Sequence, residues 1–157
     1  MAEVIRSGWV VQGPKVAEFE KVFANYTNSK YAIAVNSCTS ALYTSLLLYG
    51  VGPGDEVIAP SFTFAATVNS ILFTGATPVL VDIDSQTYNI DPGLVEKKIS
   101  NKTKVIIPVH QIGQPADLDP SYQQAKKYKI NVLEDAACGL GSEYKGKKIG
   151  SFSGITC

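Results

Sequence analysis

Two hydrophobic periods alternate along this chain, one typical of amphipathic helices and the other of short buried strands. Residues 14–26 carry apolar side chains at spacings of three and four, and Pro14 suits the first position of a helix. Residues 31–35 are a short apolar run, which predicts a buried strand. Because helix and strand patterns take turns, the sequence favours an α/β fold, with a mostly parallel sheet flanked by helices on both faces.

The rest of the chain repeats this alternation, and 157 residues are the length of one domain. Ligands of parallel sheets bind outside the carboxyl ends of the strands, so we expect the functional residues directly after strands. Further helices are predicted over residues 41–49, 63–73, 91–99 and 119–129, and further strands over residues 56–59, 78–83, 104–109 and 130–133. The sequence of residues 143–157 predicts short strands around a turn at Lys145 and Gly146.

Composition argues against several classes of protein. Fourteen basic residues balance fourteen acidic ones, so the chain lacks the basic surface of a nucleic-acid-binding protein. No stretch approaches the ~20 apolar residues of a membrane span, and the opening residues lack the apolar run of a signal peptide. The three cysteines, Cys38, Cys138 and Cys157, are too few and too widely spaced for a disulfide framework or a paired-cysteine metal site. We therefore expect a cytoplasmic protein that binds no nucleic acid, membrane or metal.

Three segments invite comparison with phosphate-binding loops. Residues 50–55 are rich in glycine but lead from a helix into a strand, the reverse of a dinucleotide-binding loop. Residues 141–148 resemble a P-loop, but Lys148 replaces the magnesium-binding hydroxyl and Gly150 interrupts the helix that should follow, which favours a surface β-turn. Residues 36–40 lie between a predicted strand and a predicted helix, where free N–H groups and hydroxyls can bind a phosphate or simply cap the helix.

Ionisable and aromatic side chains also follow the predicted strands. Glu134 and Asp135 are adjacent at a strand end, so they point to opposite faces; one of them faces the site, unless both are turn or cap residues. His110, the only histidine, is open to interpretation as an acid or base or as a hydrogen-bonded structural group. Phe62 and Phe64 follow another strand and, taken alone, favour core packing.

Several blocks, in order and at matching spacing, resemble the DegT/DnrJ/EryC1/StrS family of pyridoxal-phosphate (PLP)-dependent sugar aminotransferases. Asn36-Ser37-Cys38-Thr39-Ser40-Ala41-Leu42 is similar to that family's N-S-G-T-S-A-L phosphate loop. The other blocks that carry the resemblance are residues 7–9, 13–16, 19–20, 52–58, 60–64, 81–84, 88–92, 108–110, 115–119 and 134–137. Together they cover almost the whole chain.

The resemblance implies a fold type I PLP-dependent transferase, in which residues 1–157 form part of the large cofactor-binding domain and the small C-terminal domain is absent. It implies that Cys38 and Thr39 hold the cofactor phosphate, that Phe64 stacks on the pyridine ring and that Asp135 pairs with the ring nitrogen. Cys138 would lie beside the phenolic oxygen of the ring. A carboxylate that keeps the ring nitrogen protonated makes the cofactor an electron sink, as the family's chemistry requires.

The chain departs from the family pattern at three places. Cys38 stands where the family usually has Gly, and Cys138 where it usually has Gln, so two thiols would line one pocket and their alkylation should depend on the cofactor. The family's Schiff-base lysine lies beyond Cys157. We therefore expect PLP to bind non-covalently at best, and we expect the isolated chain not to transaminate.

In the family, an amino group passes, usually from glutamate, to the keto group of a nucleotide-linked sugar, and the active sites lie at the interface of a homodimer. The resemblance thus implies a fragment of such an enzyme, with exposed apolar surface that promotes association. Two alternatives stay open. One is a fragment of the related PLP-dependent sugar dehydratase, in which a histidine replaces the lysine; the other is a truncated chain that binds the cofactor without catalysis.

Overall fold

The structure is a computed structural model that describes residues 1–152 and 154–157. The helices are α1 (Ala2–Ser7), α2 (Pro14–Thr27), α3 (Cys38–Leu48), α4 (Ala65–Phe73), α5 (Pro92–Lys98) and α6 (Leu118–Tyr128). The strands are β1 (Glu56–Pro60), β2 (Thr77–Val81), β3 (Thr103–Ile106), β4 (Asn131–Glu134), β5 (Glu143–Tyr144), β6 (Lys147–Lys148) and β7 (Ile155–Thr156). The main sheet has five of these strands in the order β2-β1-β3-β4-β7, and every neighbouring pair is parallel.

The sheet separates two hydrophobic cores, because successive side chains of a strand point to opposite faces. On one face Val57 packs in a cluster with Leu42 and Leu46 of α3 and with residues of α4. On the other face Ile58 packs in a cluster with Val95 of α5. Helices therefore cover both faces, and the predicted α/β architecture with a parallel sheet is confirmed. None of the described helices is long and apolar enough to cross a membrane.

Local sequence signals explain where several helices begin. Pro14 occupies the first turn of α2, where its missing N–H costs nothing. Asp91 caps α5 by accepting a hydrogen bond from the N–H of Gly93 at 2.8 Å. The helix predicted over residues 41–49 begins earlier, at Cys38, because Ser37 provides the cap. The short helix α1 was not predicted from the sequence.

The buried strand predicted over residues 31–35 is wrong. The segment has no strand assignment, and its odd-numbered side chains point into solvent, with Ile33 80% exposed. The N–H of Ala34 donates instead to a carboxylate oxygen of Glu20 on α2, at 2.8 Å. Large and small apolar side chains do alternate in this segment, but within the described residues no strand lies beside it.

Candidate functional site

Asp135 lies at the carboxyl edge of the sheet, directly after β4, with only 4% of its surface exposed. Its Oδ2 accepts a hydrogen bond from the hydroxyl of Thr67 on α4 at 2.7 Å, and its Oδ1 accepts one from the N–H of Ala137 at 3.2 Å. The Sγ atom of Cys38, the first residue of α3, is 3.9 Å from Oδ1. The structure thus brings a buried carboxylate to the start of a helix.

The start of α3 is both capped and open to a ligand. The hydroxyl of Ser37 accepts a hydrogen bond from the N–H of Ser40 at 3.2 Å, so the capping interpretation of this segment is confirmed. The N–H groups of Cys38 and Thr39 donate to no acceptor in the part of the chain that the structure describes. Free N–H groups and the positive end of the helix dipole favour an anion at this point.

Two of the three cysteines, Cys38 and Cys157, lie beside the Asp135 carboxylate. Burial, with the charge of Asp135 as the next cause, raises the pKa of the Cys38 thiol to about 12. Cys157 follows the last residue of β7 and stands beside Asp135, with its Sγ 3.4 Å from the hydroxyl of Ser45. Burial raises the pKa of Cys157 as well. Cys138 is exposed. Sequence reasoning missed Cys157, because only the pairing register of β4 and β7 shows that it lies beside Asp135.

Glu134, the neighbour of Asp135, belongs to a separate buried network on the opposite face. Its carboxylate accepts hydrogen bonds from Tyr122 Oη at 2.5 Å and from His110 Nε2 at 3.2 Å. The N–H of Ala116 donates to His110 Nδ1 at 3.0 Å, so the ring proton is on Nε2. Burial, with the Glu134 charge, raises the pKa of Tyr122. The opposite orientation of the two carboxylates is confirmed, and His110 is a hydrogen-bonded structural group.

The core packing predicted for Phe62 and Phe64 is wrong. Both residues follow β1, and their side chains are exposed, Phe64 to 80%. Phe62 packs against Tyr88 with ring centroids 5.9 Å apart, and its carbonyl accepts a hydrogen bond from the Gln111 side chain. Phe64 caps the start of α4 through its backbone, which leaves its ring free for a ligand. The loop after β1 thus presents aromatic surface at the carboxyl edge of the sheet.

The two other glycine-containing segments are turns. Residues 141–148 include the β5–β6 hairpin, with Lys145 and Gly146 at its tip in left-handed conformations. In residues 50–55, the left-handed Gly50 follows α3, and the N–H of Gly52 donates to the Asp55 carboxylate at 3.0 Å. Both predictions against a phosphate loop are confirmed, and the start of α3 is the remaining candidate.

Comparison with known proteins identifies the family. Residues 1–157 match the model of the DegT/DnrJ/EryC1/StrS aminotransferase family. The chain belongs to this family. Its structure is accordingly part of the fold type I aminotransferase fold, and the resemblance seen in the sequence motifs is confirmed.

Alignment with individual members of the DegT/DnrJ/EryC1/StrS family shows how much of their length this chain covers. The UDP-4-amino-4-deoxy-L-arabinose–oxoglutarate aminotransferase of Shewanella sediminis is 48% identical over 150 residues, which are 96% of this chain and 39% of that protein. The chain therefore spans about two fifths of the length of the curated relatives that it matches.

Solved structures of the family give the same result. DesV of S. venezuelae, solved in complex with a ketimine intermediate, superposes with a TM-score of 0.97 at 41% identity, over 99% of this chain and 42% of DesV. NtdA of Bacillus subtilis, solved with the cofactor PMP, superposes with a TM-score of 0.89 at 43% identity, over 92% of this chain and 33% of NtdA. The family relationship thus implies a pyridoxal cofactor for the whole protein.

Proposed function

We propose that this chain forms the cofactor-binding part of a PLP-dependent aminotransferase that acts on a nucleotide-linked keto-sugar. The observation that supports this best is the proximity of two complementary groups at one edge of the sheet. The start of α3 has free N–H groups, and the buried Asp135 carboxylate lies 3.9 Å from the side chain of its first residue. PLP carries a phosphate at one end and a basic ring nitrogen at the other, so this donor and acceptor set fits the cofactor.

In this proposal the phosphate group binds at the start of α3. The N–H groups of Cys38 and Thr39 donate to it, and the hydroxyl of Thr39 offers a further donor. The helix dipole adds a favourable electrostatic contribution, since it places roughly half a positive charge at this end of the helix. Ser37 keeps the first turn of α3 formed, so these donors are held in place before the phosphate arrives.

Asp135 holds a proton on the ring nitrogen in the proposed complex. A carboxylate this deeply buried attracts a cation more strongly than one in water, because the surrounding dielectric constant is low. When bound, the cofactor supplies an electron sink for the carbanion that forms as the amino donor loses its proton. The contribution of Asp135 is therefore to keep the ring in its electron-withdrawing state.

Phe64 and Cys138 complete the proposed contacts with the ring. The exposed ring of Phe64 stacks on the pyridine face, and Cys138 lies beside the phenolic oxygen. A thiol is a weaker hydrogen-bond donor than the amide of the Gln usual in the family, so Cys138 holds that oxygen less firmly.

The substrate class and the partners come from likeness to the family. We infer glutamate as the amino donor, a nucleotide-linked keto-sugar as the acceptor, and a homodimer in the cytoplasm. We infer further that these 157 residues bind the cofactor without turning over a keto-sugar, because the family's cofactor-binding lysine is not among them.

The proposal is tested by titrating the chain with pyridoxamine 5′-phosphate (PMP) in a calorimeter. PMP is chosen because it lacks the aldehyde of PLP and forms no covalent bond with surface lysines. Asp135→Asn removes the charge at the ring nitrogen, and Glu134→Gln makes the same change in the adjacent carboxylate, which faces the opposite side of the sheet.

We expect saturable binding of PMP, weakened at least about tenfold by Asp135→Asn, since a hydrogen bond to a charged group contributes about 1.5–3 kcal/mol. Glu134→Gln should leave the affinity within about twofold, because Glu134 does not face the site. Equal effects of the two substitutions, or no binding by the unmodified chain, would contradict the proposal.

A further inference from the structure

A short relay of hydroxyl groups leads from the loop after β1 to Asp135. The Oγ1 atoms of Thr63 and Thr67 are 2.8 Å apart, and the Thr67 hydroxyl lies 2.7 Å from Asp135 Oδ2. An ionised carboxylate only accepts hydrogen bonds, so Thr67 must donate to it. The single hydroxyl proton of Thr67 is thereby used, and Thr63 in turn donates to Thr67.

Thr67 is fully buried in the first turn of α4, where threonine is a poor helix former. A buried hydroxyl without a partner is costly, and the partner of Thr67 comes from a strand end 68 residues further along the chain. The bond therefore fixes the start of α4 to the end of β4.

The relay also restricts how the carboxylate can turn. Thr67 binds Oδ2, while Oδ1 accepts from the N–H of Ala137 and faces Cys38. A carboxylate has about four acceptor positions and three donors face this one, so one position, on Oδ2, remains for a ligand. Rotating the carboxylate away from this orientation breaks the Thr67 bond, which is the stronger type because its acceptor is charged.

We propose that Thr67 is a positioning residue that orients the Asp135 carboxylate toward the ring nitrogen of the cofactor. Thr63 extends the relay to the loop that carries Phe64, so that the residues on two sides of the ring are held by one set of hydrogen bonds. This inference rests on the proposed function, because that is where Asp135 meets the ring nitrogen.

The test compares four variants of the chain. Thr67→Val removes the hydroxyl with little change of shape, and Thr67→Ser keeps it. Thr74→Val is the matched control, since Thr74 is also buried, lies at the other end of α4, and donates its hydroxyl to the carbonyl of Ile71 at 2.7 Å. Thr63→Val removes only the outer hydroxyl of the relay and leaves Thr67 in place.

Two measurements are made with PMP labelled with ¹⁵N in its ring: its affinity, and the NMR chemical shift of the bound ring nitrogen, which reports whether that nitrogen is protonated. Thr67→Val should weaken binding about fivefold, less than Asp135→Asn, because the carboxylate keeps its charge but loses its fixed orientation; a coupling of this size is usual for residues in contact. It should also move the ¹⁵N resonance toward that of the unprotonated ring. Thr67→Ser should restore both values, Thr63→Val should have a smaller effect than Thr67→Val, and Thr74→Val should have none.

A measurement without cofactor tests the Thr67–Asp135 hydrogen bond on which the inference depends. With ¹³C-labelled aspartate, the Asp135 carboxylate resonance is identified by its loss in Asp135→Asn, and it should move in Thr67→Val but not in Thr74→Val. If the unmodified chain does not bind PMP, the proposed function is wrong. The inference is then wrong as well, even if the ¹³C resonance shows that the Thr67–Asp135 hydrogen bond exists. If PMP binds, a Thr67→Val chain with unchanged affinity and unchanged ¹⁵N shift overturns the inference alone.

Discussion

The surroundings of individual side chains at the end of β4 separate two adjacent carboxylates. Asp135 meets hydroxyl, thiol and backbone donors next to the free N–H groups of α3, whereas Glu134 is closed into a network with Tyr122 and His110. Alternation of side chains along a strand predicts their opposite orientation from the sequence alone. The partners could not be predicted, because Thr67 and Tyr122 reach this point only through the packing of α4 and α6 on the sheet.

The three cysteines should differ in reactivity. The reactive species is the thiolate, and the pKa of about 12 keeps Cys38 protonated at neutral pH, while burial also raises the pKa of Cys157. We therefore expect iodoacetamide to label the exposed Cys138 first at pH 7.5, and we expect saturating PMP to slow that reaction. Peptide mass spectrometry at successive times gives the labelling rate of each of the three cysteines. If Cys38 is labelled as fast as Cys138, or if PMP does not change the labelling rate of Cys138, the proposed position of Cys138 beside the cofactor is wrong.

At the scale of elements, the helices and parallel strands follow from hydrophobic period and cap residues. The errors come where tertiary context decides. The 31–35 segment has the pattern of a strand but no partner strand among the described residues, and β3 ends at Ile106 where the apolar run continues to residue 109. The position of Cys157 depends on the register of β4 and β7, which no local signal specifies.

A hydrogen bond from Tyr122 to the buried Glu134 carboxylate links α6 to β4. Tyr122→Phe leaves a buried carboxylate oxygen without its donor, so we expect the free energy of unfolding to fall by about 1–3 kcal/mol. Tyr128→Phe is the control, because Tyr128 is also on α6 and also donates to a glutamate, Glu96, but in an exposed position. This substitution should lower the free energy of unfolding by less than about 1 kcal/mol. Urea denaturation measures the free energy of unfolding of both variants. Equal decreases would show that burial of the Glu134 network adds no stability.

Considered as a whole, the molecule leaves apolar side chains exposed on α2 and on the segment that follows it. Phe19 and Val22 of α2 and Tyr31, Ile33 and Val35 are all more than one-third exposed. A surface of this kind favours association. The sequence predicted such exposure through the family resemblance, although not its location.

We expect the chain to self-associate with rising concentration in sedimentation velocity. Ile33→Lys should shift the distribution toward the monomer, because burying a lysine charge in an apolar interface is costly. Leu48→Lys places the same charge on another exposed aliphatic residue, at the end of α3, and should leave association unchanged. A chain that stays monomeric throughout, or two variants that behave alike, would argue against an interface at residues 31–35.

A ¹H–¹⁵N NMR titration of the chain with PMP shows whether the start of α3 and Asp135 together bind the cofactor. We expect saturable binding, with the largest amide shifts at Cys38 and Thr39, because their free N–H groups donate hydrogen bonds to the phosphate. Asp135→Asn should make these shifts smaller at a given PMP concentration. Saturable shifts centred on the hairpin at residues 141–148 instead, or none at all, would show that the start of α3 is not the cofactor site.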